Sequence, residues 1–219
     1  MLKYDLGEGV ESFSTHIADE LDFRVILPLH QAHGVKCSFI TSATPPSELT
    51  GVDALVTQEP GLRIGVKTAD CVPVLLYDPH TGTIAAIHSG WKGTVANIIR
   101  HTISGITTRL GVEAEDMRAV IGPCIHLEAF EVGDDVFDKF SNAGYRRFCR
   151  RLPRFGGKED EKWHIDLPSI CLSQLMDCGV NAVEVRPECT YTQHDIFYSA
   201  RRLGSGFGRQ RILNCIMLI

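Results

Sequence analysis

Short apolar runs broken by turn residues fill the first half of the chain. Positions 23–27, Ala54–Thr57, 64–67, 74–77 and 84–87 are rich in branched residues. Turn signals such as Asp78-Pro79-His80-Thr81-Gly82 separate them, so each predicts a strand. A different period follows. Val95, Ile98, Ile99, Ile103, Ile106 and Leu110 recur at helical spacing and Gly111 supplies a stop. That helix would take its first turn at Trp91-Lys92-Gly93. A second helix should start at Asp166, with Pro168 just inside it, and end at Gly179. A third should hold Val136, Phe137 and Phe140. The tail from Arg211 to Ile219 reads as a buried final strand. The basic, then Gly-rich and charged stretch 146–162 reads as an exposed excursion or flap. Consecutive strands, not strict strand–helix alternation, predict an α+β fold over a doubly wound one. At 219 residues, with no repeat or obvious linker, one domain spanning 1–219 is expected.

Composition narrows the function. Hydrophobic residues are 44% and charged residues 22%, ordinary values for a folded chain. A net charge of -5 argues against nucleic acid and against a polybasic membrane surface as partners. No apolar run nears the roughly 20 residues that span a bilayer. The N-terminal residues lack a signal-peptide core, so a cytoplasmic location is expected. A monomer or homodimer suits this size. The 8 cysteines include no Cys-x-x-Cys pair, and a disulfide framework is not expected. Most thiols should be small buried groups, with one or two left for chemistry.

Three segments carry candidate chemistry: Gln31-Ala32-His33-Gly34, Thr68-Ala69-Asp70-Cys71 and His88-Ser89-Gly90-Trp91. Each puts a soft or borderline ligand at a strand end, and strand ends of one sheet can converge. Two imidazoles and a thiolate suit zinc with an open fourth position, and the same set could hold copper. Each residue alone also has an ordinary reading as core or surface. Gly34, Gly90 and Gly93 permit close backbone approach. Asp70 is a candidate general base or proton shuttle. The helix start at Gly90, with Lys92, is a candidate anion site. Cys71 with His88 as its base would alternatively make a metal-free nucleophile pair. Gly204-x-Gly206-x-Gly208 lacks the following helix of a dinucleotide loop. The arginines at 146, 147, 150, 151 and 154 read as a solvated run. Arg201, Arg202 and Arg209 would bind an anion or anchor the C-terminal loop.

Taken in order, these segments resemble the YfiH-type family, once called laccase-domain or polyphenol-oxidase proteins and now described as purine nucleoside phosphorylases. The resemblance runs through Thr68-Ala69-Asp70-Cys71-Val72-Pro73, His88-Ser89-Gly90-Trp91-Lys92-Gly93, Ile121-Gly122-Pro123-Cys124, Phe130-Glu131-Val132-Gly133 and Phe197-Tyr198-Ser199-Ala200-Arg201-Arg202. It implies a layered α-β-β-α domain similar to a toxin-like cysteine hydrolase fold. It implies zinc held by His33, Cys71 and His88. It implies phosphorolysis of adenosine, inosine and methylthioadenosine, with adenosine deamination. Copper-dependent phenol oxidation is the rival activity, but one three-ligand site is poor equipment for multi-electron oxygen chemistry. A non-catalytic metal-binding protein is a third reading. The chain departs from the family pattern in its short path from His16, where an Arg is usual, to Asp22. It departs again at Lys92, where another Arg is usual; Lys keeps the charge and loses the bidentate geometry.

Overall fold

A computed structural model describes residues 1–154, 158–206, 208 and 210–219. Six strands form the larger sheet: β3 (Cys37–Phe39), β4 (Ala54–Thr57), β6 (Val72–Asp78), β7 (Thr83–Ser89), β8 (Arg118–Ile121) and β12 (Ala182–Val185). Their order is β12-β8-β6-β7-β4-β3. The central pairings are antiparallel, while β12 on β8 and β3 on β4 are parallel, so the sheet is mixed. A second, antiparallel sheet runs β1 (Leu2–Tyr4), β2 (Val10–Ser14), β13 (Ile212–Leu218), β5 (Ile64–Thr68).

The apolar runs are continuous because β4, β6 and β7 are covered on both faces. Val56, Val74, Leu76, Ala85 and Ile87 point to helices α2 (Ile98–Leu110) and α4 (Leu167–Asp177). Leu55, Leu75, Tyr77, Ile84 and Ala86 point the other way, to Ile64, Val66, Ile216 and Leu218 of the second sheet. The result is an α+β fold layered helix, sheet, sheet. On the second sheet Phe13 meets the ring of Phe23 at 5.8 Å, and a Cβ on Gly65 would lie 3.2 Å from Val25 Cγ1.

That contact corrects the strand expected at 23–27. The segment makes only an isolated bridge, Ile26 to Ile64. Its apolar residues are half-buried and only Arg24 is exposed, as for a segment lying against a sheet without pairing. The long helix is also corrected. It is two helices, α1 (Trp91–Val95) and α2, broken at Asn97, which is left-handed (φ 61) and caps α2 by accepting from Arg100 N. Its apolar positions lie on both pieces, so periodicity does not reveal the break. Gly111 closes α2 in the left-handed conformation, and Asp166 caps α4 by accepting from Ser169 N and Oγ. α3 (Asp134–Asn142) holds Val136, Phe137 and Phe140.

The stretch expected as a flap is largely a hairpin, β10 (Cys149–Arg154) with β11 (Lys158–Ile165), extended by β9 (Glu131–Val132). Trp163 stacks on Phe137 at 3.7 Å, and the Arg146 guanidinium lies 4.7 Å from the Trp163 ring. Arg154 pairs with Glu131 and Asp160. Residues 155–157 lie outside the described residues. No helix of the described residues is long and apolar enough to cross a membrane.

Candidate metal centre

Antiparallel register brings the first two site residues together. Val72 faces Ser89 and Pro73 faces His88, so Cys71, just before β6, lies beside the end of β7. His88 shares a face with Ile84 and Ala86 and therefore points toward the second sheet, at the edge where β5 ends. His33 comes from the loop before β3. The ligand atoms of His33, Cys71 and His88 lie within 4.8 Å of one another, and the two rings meet edge to face at 4.7 Å. They are the one such group of three or more among the described residues.

Two residues without an assigned role in the sequence reading hold this cluster. Asp53, fully buried just ahead of β4, accepts from His33 N at 2.9 Å and Gly34 N at 2.8 Å. The same carboxylate takes His88 Nδ1 at 2.8 Å. One acid thus shapes the loop of one ligand and fixes the ring of another, leaving His88 Nε2 for the cluster. Gln31 pairs its side-chain amide with the backbone of Lys67 in both directions, each at 2.8 Å, as an added strand residue would. That pins the His33 loop to β5. An acidic residue immediately before a largely apolar strand was the signal available for Asp53; Gln31 offered none beyond its place two residues before His33.

Gly90 has an ordinary extended backbone (φ -71, ψ 165), so its lack of a side chain serves space. A Cβ there would lie 2.8 Å from His33 Cδ2, 3.1 Å from Cys71 Sγ and 3.6 Å from His88 Cε1. At Gly93 a Cβ would come within 3.0 Å of Gly34 O, so α1 presses on the same loop. His33 (φ 59) and Asp70 (φ 87) are both left-handed, a conformation that costs energy in non-glycine residues and collects at functional sites.

The electrostatics single out one thiol. Burial works to raise the Cys71 pKa, but hydrogen bonds and charge from His33 and His88 outweigh it and bring it down to about 6. For His88, burial works downward, and the bonds to Asp53 and Cys71 overcome it, raising the pKa to about 9. Burial also opposes ionisation of Asp53, yet the His88 bond and the Gly34 and His33 amides hold its pKa below the usual carboxylate value. Elsewhere burial prevails: Cys37 is pushed up to about 11, and Cys171 and Cys215 to about 12.

The other expected site residues sit differently. Asp70 accepts from Thr190 Oγ1 and from Arg201 N, both at 2.7 Å. It ties α5 (Ala200–Leu203) to the turn that presents Cys71. Lys92 is exposed, with its ammonium 5.6 Å from the Trp91 ring, on a helix of only five residues. Arg201 donates to Glu131 O, and Arg202 to the carbonyls of Thr190, Tyr191 and Phe197, so both anchor the loop through backbone oxygens. Arg209 lies outside the described residues. The cluster opens into a cavity of about 610 Å³ whose wall includes Lys67, Thr68 and Arg211.

Fold and site together define an α+β protein with a mixed imidazole–thiolate group suited to one soft or borderline cation. The chain belongs to the family whose model is described as multi-copper polyphenol oxidoreductase laccase, matched over residues 3–218, the YfiH-type family its motifs resemble. It is 47% identical over 174 residues to a purine nucleoside phosphorylase of Bacteroides thetaiotaomicron, covering 78% of this chain and 62% of the relative. It is 40% identical over 165 residues to adenosine deaminase RL5 of an unknown prokaryotic organism, covering 74% of this chain and 61% of that one. A crystal structure of a Bacillus licheniformis hypothetical protein, YfiH, superposes with a TM-score of 0.79 at 28% identity over 89% of this chain and 74% of that one. The chain thus spans about three fifths of the length of these two curated relatives.

Proposed function

We propose that the chain is a zinc-dependent enzyme acting on purine nucleosides, by phosphorolysis to the base and ribose 1-phosphate and by deamination of adenosine. The names of its relatives supply the substrate class. The observation that carries the reading is the convergence of His33, Cys71 and His88 at a cavity, with Asp53 orienting two of them.

The residues fit zinc by an observation independent of those names. The donor set is two imidazoles and an ionisable thiol, and Gly90 leaves open the space a Cβ would fill. When bound, zinc would supply Lewis acidity and bring the pKa of a coordinated water to about 7. Asp53 keeps the Nδ1 proton of His88, so the ring offers Nε2. Cys71 enters as thiolate. Asp70, engaged by Thr190 and Arg201, acts by positioning the turn ahead of Cys71, a role that replaces the proton shuttle expected of it. Lys92, exposed on a five-residue helix, is given no part in binding.

A second reading has its own observation. Cys71, His88 and Asp53 stand in the nucleophile, base and orienting order of a metal-free cysteine hydrolase. Metal content separates the two. Purified protein should carry near-stoichiometric zinc, and adenosine with phosphate should yield adenine, hypoxanthine and ribose 1-phosphate. Zinc-loaded protein that leaves adenosine and inosine intact refutes the leading reading. Activity that survives exhaustive chelation favours the second. Copper in place of zinc, with turnover of phenols, would point to the oxidase chemistry of the family's description.

A further inference from the structure

We propose that Lys67 and Arg211 form an anion subsite in the wall of the metal-centre cavity, and that it takes the phosphate group of a substrate. The inference rests on the reading above and adds to it the residues that hold the phosphate.

The register sets the pair up. Lys67 faces Leu213 across β5 and β13, and Arg211 lies two residues before Leu213, so the two cations are diagonal neighbours on one sheet face. The alternate face, with Val66, Thr68 and Asn214, turns into the protein, where Asn214 bonds Thr68. Both cations line the cavity that holds His33, Cys71 and His88. Two positive side chains are therefore set side by side in a half-enclosed space on a chain of net charge -5.

Such an arrangement repels itself. Burial and the charge of Arg211 lower the Lys67 pKa, and among the described residues no carboxylate forms an ion pair with Lys67. Burial likewise lowers the Arg211 pKa, and Arg211 shares the cavity wall with Cys71. The backbone holds the pair in place. Gln31 clamps Lys67 N and O, and Arg211 Nη1 donates to Gly208 O and Gln210 O. An anion that bridges ammonium and guanidinium removes the repulsion, and a tetrahedral oxyanion offers several acceptors at once. Phosphate can arrive as the free ion or as an ester on a nucleotide, and both present the same group.

The test titrates zinc-loaded wild type, Lys67→Met, Lys67→Arg and Arg211→Gln by calorimetry at low ionic strength. The probes are inorganic phosphate, adenosine 5′-monophosphate and adenosine. Lys67→Met and Arg211→Gln should each weaken a phosphate-bearing probe by roughly ten- to a hundredfold, while adenosine binds as before. Lys67→Arg should recover most of the loss. Weakening confined to inorganic phosphate identifies a co-substrate site, and a rise in its KM at little-changed kcat supports that. Weakening confined to the monophosphate identifies an ester site. Equal binding of both phosphate probes by wild type, Lys67→Met and Arg211→Gln overturns the subsite, as does an adenosine loss of the same size. Lys67 is half-exposed, so its variants remain informative if Arg211→Gln does not fold. A wild type that binds phosphate but turns over no nucleoside sinks the proposed activity and leaves the subsite standing.

Discussion

Adding one methyl group at Gly90 should empty the metal centre while sparing the fold. The backbone there, φ -71 and ψ 165, is open to any residue, so Gly90→Ala meets no conformational strain. Its Cβ would be 2.8 Å from His33 Cδ2, closer than unbonded carbon tolerates, and a tight 3.1 Å from Cys71 Sγ. His33 is exposed on a loop and gives way first, which limits the overpacking cost to the low end of about 1–3 kcal/mol. Displacing one of three ligands is more severe than altering a supporting group, which alone costs about 10–100-fold in affinity. We expect zinc affinity to fall at least about a hundredfold, equivalent to about 2.7 kcal/mol of lost ligand stabilisation. For a chain of this length, where 1 kcal/mol moves Tm by about 2–4 °C, the zinc-induced rise in Tm should shrink by about 5–10 °C. Competition against a chromophoric chelator gives the affinity, and melts with and without zinc give the shift. Gly90→Ala protein that retains wild-type zinc affinity would refute the argument that the cluster encloses the ion next to this glycine.

Asp53→Asn keeps the shape but sets an amide nitrogen against the His33 and Gly34 amides, so zinc affinity should drop about 10–100-fold and stability by about 1.5–3 kcal/mol. Because the folded pKa of Asp53 is depressed, its contribution is present above the unfolded value near 3.9 and lost as pH falls through the lower folded value; wild-type melts below about pH 4 should show a loss that the Asn variant lacks. Gln31→Ala removes two bonds to Lys67 worth about 1–3 kcal/mol together; hydrogen exchange should quicken in the loop around His33 and spare α4. In zinc-free protein the alkylation rate of Cys71 should reach half its plateau near pH 6, whereas Cys37, held up at about 11, stays slow through neutrality. Zinc should block the Cys71 reaction, and alkylation at an equal rate with zinc present would remove that thiol from the ligand set.

Burial on both faces made β4, β6 and β7 readable, because an apolar run that short and that continuous has few other uses. The same rule misled at 23–27, where half-buried apolar residues lie against Phe13 and Gly65 without strand pairing. The β10–β11 hairpin was hidden by its solvent face, since Arg150, Arg151 and Glu161 are exposed and its buried apolar residues, Cys149 and Ile165, lie at its ends. At the centre, the three members of the candidate cluster were legible from residue type and place at strand ends. Their support was not: that Asp53 serves His33, Gly34 and His88 together depends on strand order, which residue spacing does not carry. Lys67 and Arg211 were unreadable as a pair for the same reason, being neighbours only through the β5–β13 register.

The shared carboxylate of Asp53 has a consequence for how the ion comes and goes. Two of the three donors hang from a single peg, one by its main chain and one by its ring. The ring of His88 is therefore held, whereas the His33 side chain can turn while its main-chain tether stays intact. Were an ion held here, its capture and release should therefore run through His33, with His88 keeping its place throughout.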